Sequence, residues 1–148
     1  MKLTGLLLVL AVALTGCASG PKFTEVKSSI PTIGANKGRI YFFRSNSLVG
    51  SAIQPSVTLN GEKVGDSVPG GFFFVDRTPG NYEVSMSTEI ERKASFTLEQ
   101  GQTRYIRMTI GFGILAGRVH PELVDASQAE TELLESSYIG TTPLAAKK

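Results

Sequence analysis

The chain has one cysteine and one histidine in 148 residues. A single cysteine excludes an internal disulfide framework, so the fold must be held by its core. A single histidine argues against a metal centre, which needs two or more His, Cys or carboxylate ligands at set spacing. No apolar run approaches the roughly 20 residues needed to span a bilayer as a helix. Charge is balanced rather than clustered, with 15 basic and 13 acidic side chains. Nucleic-acid binders carry a concentrated basic footprint, and none is present.

What the chain does have is a marked front end. Met1-Lys2 is a basic start, and Leu6 to Leu14 is an unbroken apolar run of nine residues. A short basic stretch followed by a run of this length matches a secretory signal peptide. It ends in Leu14-Thr15-Gly16-Cys17, which resembles the bacterial lipobox, the site processed by the lipoprotein signal peptidase. The resemblance implies diacylglycerol on the Cys17 sulfur, cleavage before Cys17, and usually a third acyl chain on the new amino group. Each buried methylene contributes about 0.8 kcal/mol, and two or more chains anchor stably where one does not. Ala18 after the cysteine, rather than Asp, resembles the sorting pattern for the outer membrane. The expected location is therefore the periplasmic face of that membrane, and the expected partner is the membrane itself through lipid on Cys17.

Removing residues 1–16 takes away Lys2 and leaves 14 basic against 13 acidic side chains. Residues 17–37 are rich in Ser, Gly, Pro, Lys and Thr, with apolar residues singly placed. They read as the lipidated cysteine and a flexible tether, with Ile30 to Ile33 as an alternative edge strand. Twenty such residues have a root-mean-square span of roughly 25 Å. About 110 residues follow, enough for one small domain.

The body is expected over 38–140. Arg39 to Arg44 is a continuous aromatic and branched run, as in a strand covered on both faces. Ser45 to Pro55 is a long loop, of the kind that is functional or mobile. Ser56 to Asn60 alternates, and Asn60-Gly61 predicts a type I′ hairpin. Phe72 to Arg77 is the most apolar strand. Thr78-Pro79-Gly80-Asn81 predicts a type II turn. Strands follow at Tyr82–Thr88, Ala94–Leu98 and Thr103–Ile110, the last with Tyr105 and Arg107 facing outward. Arg118 to Val124 is an edge strand carrying Pro121. Ser127-Gln-Ala-Glu130 is a capping box, predicting a helix over about 128–137 that buries Ala129, Leu133 and Leu134. Residues 141–148 read as a disordered tail. About seven or eight short strands with turns every eight to twelve residues predict an all-β fold, a small antiparallel sandwich closed by one short C-terminal helix.

The order Arg39–Arg44, Val57–Val64 around Asn60-Gly61, Gly70–Val75, Thr78–Tyr82 and Leu98–Ile106 resembles the DUF2846 family of bacterial lipoproteins. More loosely it resembles the PEGA-type, transthyretin-like sandwich modules. The resemblance covers roughly residues 38–135. It implies a small lipid-anchored envelope domain with no established activity, and it carries over no catalytic residues.

Candidate chemistry is sparse. His120 and Glu122 share a strand face, with no third ligand in sight. Ser51 lacks the second glycine of a nucleophile elbow. Glu89 and Glu91 read as a solvated turn rather than an acid/base pair, and Asp76 and Arg77 as a local pair. Tyr105 with Arg107 could stack on sugar or peptide, or simply pack across strands. Gly111-Phe-Gly-Ile-Leu-Ala-Gly117 precedes a strand rather than a helix, so it is no phosphate cradle. Its Phe112, Ile114 and Leu115 either fold under the sandwich or form an exposed patch. No catalytic residue, metal or cofactor is expected. The expected function is a non-catalytic binding or structural module of the cell envelope, contacting a protein or cell-wall partner. An accessory subunit of an envelope or secretion assembly is the alternative, and a hydrolase a distant one.

Overall fold

The continuous apolar run after Gly38 becomes a strand with a neighbour on each side and a covered surface on both faces. In a computed structural model, which describes residues 17–113 and 117–146, this strand is β1, Gly38–Phe43, and all six of its residues are buried. Leu14, Thr15 and Gly16 of the front-end motif, and Ile114 and Leu115 of the glycine-rich loop, lie outside the described residues.

Eight further strands follow: β2 Ser56–Leu59, β3 Glu62–Asp66, β4 Gly71–Arg77, β5 Gly80–Ser87, β6 Glu91–Leu98, β7 Thr103–Gly111, β8 Arg118–Val124 and β9 Ser137–Tyr138. They form two sheets, ordered β8-β7-β1-β4-β9 and β3-β2-β5-β6. The four-stranded sheet is antiparallel throughout. The five-stranded sheet includes two parallel pairs, β1 with β7 and β4 with β9. β7 reaches this sheet only after the chain has crossed from the other one, and it enters at the end where β1 starts. Parallel neighbours need such a crossover.

Between the sheets lies a core of alternating residues, among them Ile40, Phe42, Val57, Leu59, Val84, Met86, Leu98, Ile106 and Met108. Phe42 and Phe73 stack with ring centroids 4.8 Å apart. A second core lies on the outer face of the five-stranded sheet. There Tyr41, Phe43, Phe72 and Phe74 are covered by Phe23, Val26, Ala129, Leu133 and Tyr138. This second layer is why β1 and the start of β4 are apolar without alternation. Tyr105 belongs to it as well, stacked on Tyr41 at 5.5 Å, and so does not face solvent as expected.

The two chain ends that build this layer depart from the expected tether and tail. Residues 23–29 form a short helix, α1 Phe23–Val26, and a 3-10 turn, Lys27–Ser29. Phe23 and Val26 are buried, and Phe23 meets Phe72 edge to face. The Phe23 amide donates to the Ser136 carbonyl, and the Tyr138 amide to Pro21. Phe23, Val26 and Ile30 stand three and four apart, so apolar residues that look isolated share one side of a helical turn. The Ile30–Ile33 edge strand is not formed. The expected tail also runs back over the body. The Thr142 hydroxyl donates to the Phe74 carbonyl, and the Ala145 amide to Ser29.

Three local expectations are also corrected. The C-terminal helix, α2, is Ala126–Leu133, with Asp125 at its N-cap and no side-chain cap bond, so the Ser127 capping box is not used. It stops early because Ser137 leaves to pair with β4, and Leu134 is left exposed. Gly80 is the first residue of β5, opposite Leu98, and not the third residue of a type II turn. β4 and β5 lie in different sheets, so their connection is drawn out rather than folded tight. β6 begins at Glu91, so part of the expected charged turn is an edge strand, which charge protects from further pairing. The Asn60-Gly61 hairpin is formed as expected, with φ of 48° and 82°.

Candidate functional site

β1 and β7 end, and β4 and β8 begin, at one pole of the sandwich. Four connections therefore gather there: residues 44–55, 67–70, 88–90, and the one between β7 and β8, of which 112, 113 and 117 are described. The first is the long loop singled out in the sequence. Arg44, next after β1, organises it from within. Its side chain is buried and donates to three backbone carbonyls: Ile53 at 2.6 Å, Gly50 at 2.8 Å and Ser67 at 2.9 Å. No carboxylate among the described residues bonds to it, and burial lowers its pKa. Arginine stays charged in such a site, and its planar fork reaches several acceptors at once. The Gly50 and Ile53 carbonyls of the loop are thus satisfied from within.

The first described residues lie against the same pole. The Cys17 thiol is exposed and unpaired, and its sulfur stands 3.7 Å from Asn46 Oδ1. The Ala18 amide donates to the Pro69 carbonyl at 3.1 Å. A side chain on Gly20 would overlap the Tyr138 carbonyl, so glycine permits the chain to lie flat against β9. Cys17 is therefore adjacent to the 44–55 loop, not some 25 Å out on a free tether.

The same pole carries the most exposed apolar side chains described. Phe112 is 97% exposed, Leu48 86% and Val49 62%. Of the two readings left open for the glycine-rich loop, Phe112 follows the exposed one. Val49 and Phe112 line a cavity of about 350 Å³ with Arg44, Ser47 and Arg107. On its other side Phe112 lines a second cavity of about 440 Å³ with Arg92, Lys93, Arg118 and His120.

His120 thus shares its cavity with cations and apolar groups, and neither a serine nor an aspartate lines it. Ser51 sits in the turn after Leu48 and does not line that cavity. Glu122 does not combine with His120 as a ligand pair, because Arg107 takes it. The guanidinium donates to Glu122 at 2.9 Å and to Glu132 of α2 at 2.6 Å. The bond from Arg107 holds the Glu122 carboxyl below its ordinary value, and the pKa of Arg107 is raised in turn. No group of three or more His, Cys, Asp or Glu among the described residues is placed to hold a metal ion.

The remaining candidates are separated. The Asp76 carboxylate pairs across the strands with Arg39, through two bonds of 2.7 and 2.9 Å, while its neighbour Arg77 donates only to the Asp76 backbone carbonyl. Burial disfavours the Arg39 charge, but the Asp76 bond and charge more than reverse this and raise its pKa. Glu89 pairs with Arg118 and Glu91 with Lys93. Arg44 is the residue that the sequence reading missed. Its only sequence signal is a basic residue directly after an aromatic strand and before a long loop.

Residues 34–120 match the family model described as "Protein of unknown function (DUF2846)". The chain belongs to the DUF2846 family. In this DUF2846 chain the matched segment holds β1 to β7, the Arg44-centred loop and the start of β8. Cys17, α1 and α2 lie outside it. An uncharacterized protein of Haemophilus influenzae is 25% identical over 127 residues, which is 81% of this chain and 74% of that protein. No solved structure matches the chain.

Proposed function

We propose that this DUF2846 protein is a lipid-anchored, non-catalytic module of the bacterial cell envelope, held by acyl chains on Cys17 at the periplasmic face of the outer membrane. The observation that carries the reading is the Leu14-Thr15-Gly16-Cys17 motif behind a nine-residue apolar run, whose cysteine is the only one in the chain. The exposure of the Cys17 thiol supports it, since a modifying enzyme needs access to the sulfur. Membership of a family of unknown function adds no activity to carry over.

The test is fractionation of intact cells that express the full-length chain or Cys17→Ala. The unaltered protein stays with membranes after a high-salt wash, and Cys17→Ala leaves them while keeping its β-rich circular dichroism. A Cys17→Ala protein that remains fully in the membrane fraction contradicts the reading. Cross-linking in the same cells separates the roles of the anchored module. Recovery of cell-wall glycan supports a binding module, and one stoichiometric protein supports an accessory subunit.

A further inference from the structure

We propose that the Cys17 pole of the sandwich is a membrane-docking face, with Leu48, Val49 and Phe112 seated in the interfacial zone of the same bilayer that receives the acyl chains. The proposal rests on the reading of Cys17 as the lipid-bearing residue, and it assigns a surface and an orientation that this reading lacks.

Three observations support it. The first is the distribution of apolar exposure. Six large hydrophobic side chains are exposed among the described residues, and Leu48, Val49, Ile90 and Phe112 all belong to the connections at this pole. Leu123 and Leu134 lie elsewhere, and both are less exposed than any of the three proposed anchors. Contiguous exposed apolar groups mark a surface that meets a partner or a lipid phase.

The second is the position of Cys17, which decides the occupant. Its sulfur lies beside Asn46, two residues from Leu48, and the Ala18 amide is fixed to Pro69. Acyl chains leaving that sulfur enter the bilayer at the level of the loops. The docked segment has no slack with which to hold the domain away, so Leu48 and Val49 reach the surface with the anchor. Arg44 keeps their loop in shape by binding the Gly50 and Ile53 carbonyls.

The third is charge. Phe112 is flanked by Arg92, Lys93, Arg118 and His120 around one cavity. Glu89 is paired with Arg118, and Glu83 and Glu91 with Lys93. Those pairs leave Arg92 beside Phe112 with no carboxylate partner among the described residues, and an apolar tip with such a cation beside it suits a bilayer interface, where the tip meets acyl chains and the cation meets phosphates.

The absence of tryptophan from the chain gives a clean test. Full-length protein carrying Phe112→Trp is purified in its acylated form and reconstituted in vesicles of phosphatidylethanolamine and phosphatidylglycerol, with and without brominated acyl chains. Gln100→Trp, in the exposed turn at the opposite pole, is the control. The Phe112→Trp emission should shift to the blue on vesicles and lose intensity to the bromines, while Gln100→Trp changes in neither respect. Acylated, vesicle-bound protein whose Phe112→Trp emission stays as in buffer overturns the docking face and leaves the anchor standing. A blue shift without bromine quenching also overturns it, because the side chain is then buried in protein, as against a second copy. Intact mass of the same sample reads the anchor separately. An unmodified Cys17 overturns the anchoring reading, and the docking face falls with it.

Discussion

The Arg44 guanidinium donates to the Gly50 carbonyl at 2.8 Å from a side chain that the protein covers almost completely. The same nitrogen fork holds Ile53 and Ser67, so one residue ties the long loop to the turn before β4. Replacing it with an apolar side chain leaves buried carbonyls without donors. Arg44→Met is expected to lower stability by about 3 kcal/mol in urea unfolding. It should also speed hydrogen exchange at the Ser51 and Ile53 amides, which bond within the loop. Arg44→Lys should recover only part of this, because an ammonium does not span three separated carbonyls.

The docking of α1 predicts how proteases see the front of the mature chain. Phe23→Ala with Val26→Ala removes its two buried contacts with the outer core. The segment, left with its backbone bonds to Ser136 and Tyr138 but no apolar contact beneath it, should then open by local unfolding. Trypsin should cut at Lys22 and Lys27 many times faster than in the unaltered protein, while the span 38–124 stays resistant. Equal cleavage of both proteins would restore the flexible tether.

Acid should weaken the cross-strand pair between Arg107 on β7 and Glu122 on β8. Arg107 holds the Glu122 carboxyl below its ordinary value of 4.5. A depressed native pKa contributes stability that is present above pH 4.5 and is lost as pH falls through the lowered native value. Glu122 is well solvated, so screening keeps the effect to at most about 1 kcal/mol. Urea midpoints measured on both sides of pH 4.5 should fall on the acid side. The fall should be smaller in Glu122→Gln.

At the β2–β3 hairpin the cost should be one of backbone alone. Gly61 has φ of 82°, and nothing lies within 4 Å of where a side chain would begin. Gly61→Val is expected to lose roughly 1–3 kcal/mol, because a β-branched residue resists positive φ. Gly61→Asn should lose much less, since Asn enters the left-handed region more readily. Thermal unfolding of the two variants makes the comparison.

These residues also show where sequence reasoning reached and where it stopped. β2 and β5 were legible because Val57 and Leu59, and Val84 and Met86, alternate toward one core. Asn60-Gly61 was legible because few residues tolerate its dihedrals. β1 and β4 announced, by unbroken apolarity, that both faces are covered. Of their cover, only the share from α2, Ala129 and Leu133, was legible. The rest comes from Phe23 and Val26 in a four-residue helix and from Ser137-Tyr138 in a two-residue strand, both too short to show a period. Each forms only because the sheet is there to receive it.

The site divides in the same way. Cys17 was readable as a motif, since its chemistry is local. Its closeness to Asn46 was not, because it depends on the docking of both chain ends. The burial of Arg44 was hidden as well. An arginine at a strand end ordinarily projects into water, and only the three carbonyls around it reverse that.

The central claim concerns one sulfur atom, and intact-mass spectrometry of protein extracted from bacterial membranes tests it most directly. The account predicts a chain that begins at Cys17, heavier than its residues by a diacylglyceryl group and an amide-linked acyl chain, with all added mass on the first residue in fragment spectra. A chain that keeps residues 1–16, or one that carries an unmodified Cys17 thiol, would contradict it.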